Sequence, residues 1–224
     1  MLSTEKGGAY MRQKSALISI IPIFLILITF TLTGCTMIFQ KGRRTDIEKI
    51  SKLKSELTDL ERAKQELEDQ LRKEIDNKQV NVEMNDRGLV VTFVAEVLFD
   101  SGKAELRTDS LPKLDKVASV LNTTVKDLNV GIEGHTDNDP IKRSGWKSNW
   151  ELSAQRALSV LHHMTDKQGV APERLNIAGY GEFRPVASNA SKEGKQKNRR
   201  VEIVILPKTV KEGRDGGAEE AAQE

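Results

Sequence analysis

The sequence predicts an α+β fold: a mixed sheet in β-α-β-α-β order, with two helices packed on one of its faces. Three observations predict it. Apolar or β-branched runs at Gly88–Phe99, Leu128–Gly134, Arg174–Ala178 and Asn198–Leu206 have the character of strands. Two stretches between them, Asp109–Leu121 and Asn149–Lys167, repeat their apolar residues at helical spacing instead. Strands and helices that alternate in this way bury their apolar faces best as a sheet layer against a helix layer.

Ahead of that domain the chain changes character several times. Residues 1–10 carry no pattern, and either Met1 or Met11 can be the start. Met11-Arg12-Gln13-Lys14 is a basic n-region, and Ala16–Thr33 is apolar apart from Ser and Thr, with one proline at Pro22. Its length fits both a signal peptide over residues 1–34 and an uncleaved membrane helix. Leu32-Thr33-Gly34-Cys35 resembles a lipobox, the site at which bacterial lipoprotein precursors are lipidated and cleaved. The resemblance implies a lipid on Cys35. Thr36 after the cysteine implies, by analogy with lipoprotein sorting, the periplasmic side of the outer membrane.

Cys35 is the single cysteine of the 224 residues, so no intrachain disulfide forms and a cysteine-based metal site is not expected. After a linker over residues 35–45, residues 46–80 read as one charged helix. Ile50, Leu53, Leu57, Leu60, Leu67 and Leu71 fall on heptad a and d positions, and Lys64 interrupts them. The seam fits a dimeric or trimeric coiled-coil stalk, a lone helix held by Glu–Lys pairs, or a helix packed on the cell wall. As a spacer it would span roughly 50 Å.

The globular domain begins near Val80. Its first helix has Leu111, Leu114, Val117, Ala118 and Leu121 on one stripe and Pro112 in the first turn. The second helix starts at a capping box, with Ser148 as cap and Glu151 three residues on. Asn149, Ser153, Arg156 and Val160 share one side of it, since about 3.6 residues per turn brings them nearly into line. Ala154, Ala157, Leu158, Leu161 and Met164 are expected to face the core, and Gly169 to close the helix. Gly179 and Gly181 suggest left-handed turns, and Pro185–Lys197 leaves room for one short helix. In the last strand Val201, Ile203 and Ile205 point one way and Glu202 and Val204 the other. Composition predicts a disordered tail over residues 208–224.

The stretch Gly134–Ala157 holds the candidate chemistry. His135, Thr136 and Asp137 follow a strand, and Arg156 lies two turns into the next helix, near the loop that carries Asp137. A carboxylate and a guanidinium there either pair with each other or form a two-signed pocket for a zwitterion. G-H-T-D at 134–137, N-x-x-L-S-x-x-R-A at 149–157 and N-R-R-V-E-I at 198–203, with L-F-D-S-G-K-A-E-L at 98–106, resemble the OmpA-like domain. That family includes outer membrane protein A, peptidoglycan-associated lipoproteins and the flagellar stator protein MotB. The resemblance covers roughly residues 85–207. It implies peptidoglycan as partner, with Asp137 taking the ammonium of the diaminopimelate in the stem peptide and Arg156 its carboxylate. Thr136, Asn149, Asn198, Arg199 and Arg200 are implied at the pocket.

The stator branch of the family carries a proton-accepting Asp in its membrane helix, whereas Ala16–Thr33 has no ionisable residue, so proton-driven work is not supported. His162 and His163 diverge by ~100° on a helix, and His135 has no third ligand at diagnostic spacing, so no metal is expected. No nucleophile elbow, phosphate loop or nucleotide fingerprint appears, and no cofactor is expected. Asp137 and Glu182 could form a carboxylate pair for glycan hydrolysis, but an enzyme is the weaker class. The basic run Lys192–Arg200 has no interleaved aromatics, which argues against nucleic acid. The net charge of +2 adds no argument for it. The sequence reading is therefore a lipid-anchored envelope protein that binds peptidoglycan and could self-associate through its stalk.

Overall fold

The computed structural model describes residues 46–142 and 144–208. Of these, 46–53 belong to one unit and 54–208 to another. The apolar segment, Leu32–Cys35, the linker and the tail beyond Lys208 lie outside the described residues. Among those described, no helix is long and apolar enough to cross a membrane.

Residues 46–53 are helical, with Ile47, Ile50 and Leu53 exposed. In the larger unit, helix α1 (54–70) and the short α2 (Arg72–Asp76) lead into a five-stranded sheet. Strands β1 (Val80–Asn85) and β2 (Gly88–Val94) form an antiparallel hairpin. Then come α3 (Ala95–Leu98), α4 (Leu111–Asn122), β3 (Asn129–His135), α5 (Asn149–His162), β4 (Leu175–Gly179), α6 (Lys192–Asn198) and β5 (Arg200–Leu206). The strand order is β1-β2-β5-β3-β4, and β3 with β4 is the parallel pair in an otherwise antiparallel sheet. The predicted mixed α+β architecture is present, with one strand more than the sequence suggested. The extra strand, β1, lies where the sequence reading passes from the stalk to the domain and assigns no element.

The core lies between one sheet face and the helices. Leu89, Val91 and Phe93 of β2, Val130 and Ile132 of β3, and Val201, Ile203 and Ile205 of β5 meet Leu114, Val117, Ala118 and Leu121 of α4 and Ala157 and Val160 of α5. Leu60, Ala63, Leu67 and Leu71 belong to the same core. This corrects the stalk reading for that half of the helix. Leu60, Leu67 and Leu71, placed on a coiled-coil seam, are buried inside the domain while Leu57 stays exposed, and Lys116 and Thr124 hydrogen-bond to Gln70 and Glu66. The same spacing of apolar residues serves a partner helix or a domain's own core equally well.

Leu67 is fully buried, so Leu67→Ala should destabilise the domain by about 2–5 kcal/mol. Its melting temperature should fall by the same amount at every protein concentration. A seam leucine would show a concentration-dependent loss instead.

Helix α5 lies closer to the sheet than an ordinary layer packing permits. A Cβ at Gly134 would stand 2.0 Å from the Ser153 carbonyl oxygen, and one at Gly179 would stand 2.5 Å from the Ala154 nitrogen. Gly179 is therefore needed for approach, whereas Gly181 (φ 54°) and Gly169 (φ 66°) are the left-handed ones. The approach also rotates the helix from the expected stripe. Leu152, Ser153, Arg156, Ala157 and Val160 are buried, while Ala154, Leu158 and Leu161 are partly exposed. The Ser153 hydroxyl accepts from the Gly181 N–H at 3.0 Å, so a polar residue sits in the closest contact without an unmet group. A π-helical turn, His163–Lys167, ends α5, and His163 meets Asp115 of α4 at 2.7 Å.

Candidate functional site

The end of β3, the first two turns of α5 and the short helix α3 enclose a cavity of about 680 Å³. Three backbone features fix its walls. Ser148 caps α5 by accepting from the Glu151 N–H, and Glu151 reaches back to the Lys147 N–H rather than to the cap's own. The Thr136 N–H donates to the Gly181 carbonyl at 2.9 Å, which ties the β3 end to the segment after β4. β2 breaks into α3 at Ala95, where the sequence suggested a strand continuing to Phe99, and this brings Glu96 and Phe99 to the cavity.

Arg156 forms the floor and is 4% exposed. Its Nε donates to the Lys103 carbonyl at 2.9 Å, and its guanidinium lies 5.2 Å from the centroid of the Phe99 ring. Among the described residues it forms no ion pair, so the structural Asp137–Arg156 salt bridge allowed by the sequence is not made. Burial pulls its pKa down to about 10, against the pull of Glu96 and Asp137 toward the charged form. The side chain is still a cation at neutral pH. A buried charge without a partner is costly, and its remaining donors form a planar fork suited to a carboxylate.

Asp137 has a different partner. Its carboxylate accepts from Arg199 at 2.6 Å, and Arg199 also holds Glu96 at 2.6 Å. Burial works to lower the Arg199 pKa, but these two carboxylates outweigh it and raise it. The upper wall thus holds two acids on one arginine, and the floor holds one arginine with no acid. Thr136 lines the cavity and donates from its hydroxyl to the Asp137 carbonyl. Asn149 also lines it, and its amide donates to Glu182 at 2.7 Å and to the Asp139 carbonyl at 3.1 Å.

Asp137, Arg156, Asn149, Thr136 and Arg199 are brought together as the sequence implied; Asn198 and Arg200 are not. Asn198 is fully buried at the end of α6, where its side chain braces the 186–189 loop through Val186, Ala187 and Asn189. Arg200 begins β5 on the opposite sheet face, bound to Glu202 and to the Arg184 carbonyl. Strand alternation sends Arg199 and Arg200 to opposite sides, and that signal could have separated them. Glu96 was missed because it sits within an apolar run that reads as strand.

On the opposite face Glu133, His135 and Glu202 offer ligand atoms within 4.8 Å of one another. Arg87 donates to both carboxylates, at 2.9 and 2.5 Å, and Arg200 donates to Glu202 at 2.6 Å, so two arginines already compensate the two charges. His135 is buried and stacks on Tyr180, and its burial lowers its pKa. It faces these glutamates and not Asp137.

Residues 98–199 match the OmpA family. The chain is 37% identical over 150 residues to Motility protein B of Bacillus subtilis, covering 67% of this chain and 57% of that one. It therefore spans little more than half of that relative. It is 31% identical to the uncharacterized protein YtxE of the same organism over 221 residues, covering 91% of this chain and 90% of the other. Among solved structures it resembles the cell wall anchor of the T6SS from Pseudomonas aeruginosa. Identity there is 37% and the TM-score 0.57, over 62% of this chain and 96% of that one. The sheet order, the ordered motifs around Asp137 and Arg156, and a relative matched along nine-tenths of both chains agree, and this chain is a member of the OmpA family.

Proposed function

We propose that the cavity binds the peptide stem of peptidoglycan without covalent chemistry, and so ties the membrane that holds the chain to the cell wall. One observation carries the reading: Arg156 is buried, charged and without an ion pair on the floor of a cavity whose upper wall is acidic. A ligand with a carboxylate beside an ammonium meets both signs at once. The D-centre of diaminopimelate has that chemistry, with its carboxylate on Arg156 and its ammonium toward Asp137 and Glu96. The likeness to a solved cell wall anchor supports the same reading. Nothing in this scheme breaks a bond, and muropeptides incubated with the protein are expected to stay intact.

The test is retention on purified sacculi. The full chain in detergent should sediment with sacculi and be released by excess muropeptide. Protein that stays in the supernatant overturns the proposal.

The anchor in this reading is a lipid on Cys35, which places the protein on the periplasmic side of the outer membrane. Self-association through the exposed Ile47, Ile50 and Leu53 is part of it. The likeness to Motility protein B favours a second reading, a subunit held by an uncleaved helix over 16–33. The mass of the protein isolated from membranes separates the two. A mature chain that begins at acylated Cys35 is the expected result, and one that retains residues 16–34 would establish the uncleaved helix.

A further inference from the structure

Trp150 and Phe183 stack with ring centroids 5.0 Å apart and planes 20° from parallel. Yet they remain 49% and 62% exposed. Aromatic residues are only 4% of the sequence, and Phe93 and Phe99 are buried in the core. The exposed pair has a defined place. Trp150 follows Asn149, whose amide lines the cavity and donates to Glu182, and Phe183 follows Glu182. The backbone of Gly181 lies against that of Asn149 and Trp150. The two rings therefore stand next to Asn149, a residue of the cavity wall, and just outside the residues that line the cavity.

We infer that this pair is a saccharide platform, a subsite for one sugar ring of the glycan to which the stem peptide is attached; the inference rests on the stem-peptide reading of the cavity. A pyranose presents a face of axial C–H groups, slightly positive, which lies flat on the negative face of an aromatic ring. Its hydroxyl and N-acetyl groups project sideways from that stack, where the hydrogen-bonded pair Asn149 and Glu182 offers polar partners. Size selects a sugar over a protein partner. At 49% and 62% exposed, the two side chains offer roughly half of the ~150–250 Å² that such a residue can bury, whereas a stable protein interface buries upward of ~1,000 Å². Continuity selects the glycan, because a peptide held in the cavity carries its sugar just outside it.

The experiment compares two ligands on the full chain in detergent by titration calorimetry. One is the free diaminopimelate-containing stem peptide, and the other is the same stem on its N-acetylglucosamine–N-acetylmuramic acid disaccharide. The wild type should bind the disaccharide form about three- to tenfold more tightly. Trp150→Ala and Phe183→Ala should each erase that advantage and leave affinity for the free stem unchanged. A platform that merely pins the 180–187 segment to α5 predicts something else: both ligands lose affinity together and the melting temperature falls. That pattern, or variants that keep the advantage, or a wild type that shows none, overturns the platform while the stem-peptide reading stands. A wild type that binds neither ligand overturns both.

Discussion

Arg156→Ala should abolish retention on sacculi and leave the domain folded. The two halves of that expectation have separate physical grounds. In the free protein Arg156 makes one hydrogen bond, to the Lys103 carbonyl, and one contact with the Phe99 ring, and no carboxylate pairs with it among the described residues. Its charge is already unfavourably buried, as the pKa of about 10 records. Removing it therefore strands no partner charge, and stability should change by no more than about 1 kcal/mol. In the complex the same guanidinium meets a carboxylate on the buried floor of the cavity. Losing one member of such a pair costs roughly 2–5 kcal/mol, which weakens binding about thirtyfold to several thousandfold. Arg156→Lys should fail as well, because an ammonium cannot reproduce the two parallel hydrogen bonds of the fork.

Arg199→Ala provides the contrast. It leaves Asp137 and Glu96 without their shared cation, so stability and binding should fall together. Melting curves and a muropeptide titration on these variants decide the matter. An Arg156→Ala protein that unfolds, or that binds as the wild type does, removes Arg156 from the role given to it.

Much of this site was legible before the structure because its parts are local. Asp137 ends a strand, Arg156 sits at a fixed distance from a capping box, and helical spacing alone puts Asn149, Ser153 and Arg156 on one side. What was not legible depends on contacts between distant segments. Glu96 reaches the cavity because the chain turns into α3 at Ala95, within a run whose composition reads as unbroken strand. The pairing of Asp137 with Arg199 joins residues 62 apart in sequence. Leu60, Leu67 and Leu71 show the other kind of failure. Their pattern predicts a helix, and a helix is present, but a helical stripe does not say whether a second chain or the domain's own sheet will cover it. β1 follows that helix directly, and Val80–Asn85 has only Val80, Val82 and Met84 as apolar alternates, too short a run to stand out as a strand.

Gly134→Ala should destabilise the domain more than its single methyl group suggests. Alanine is ordinarily the better residue in a strand or helix, and Gly134 does not adopt a left-handed φ. The obstacle is purely one of space: the added Cβ would stand 2.0 Å from the Ser153 carbonyl oxygen, 2.7 Å from its carbon and 3.2 Å from its Cα. All three are backbone atoms of α5, so no rotamer change can relieve the clash, and the helix must lift from β3. Lifting it loosens Ala157 and Val160 from the core and draws Ser153 away from the Gly181 N–H. A loss of at least about 3 kcal/mol is expected, at the upper end of overpacking. For a domain of this size that lowers the melting temperature by roughly 6–12 °C. Gly145→Ala is the control. It has φ 80° but nothing within 4 Å of its Cβ, so it meets only the left-handed strain of about 1–2 kcal/mol. Since α5 also carries Arg156, Gly134→Ala should weaken muropeptide binding even at temperatures where the protein is folded, and Gly145→Ala should not. Equal melting temperatures for the two variants would mean that the close approach of α5 to the sheet contributes nothing beyond ordinary packing.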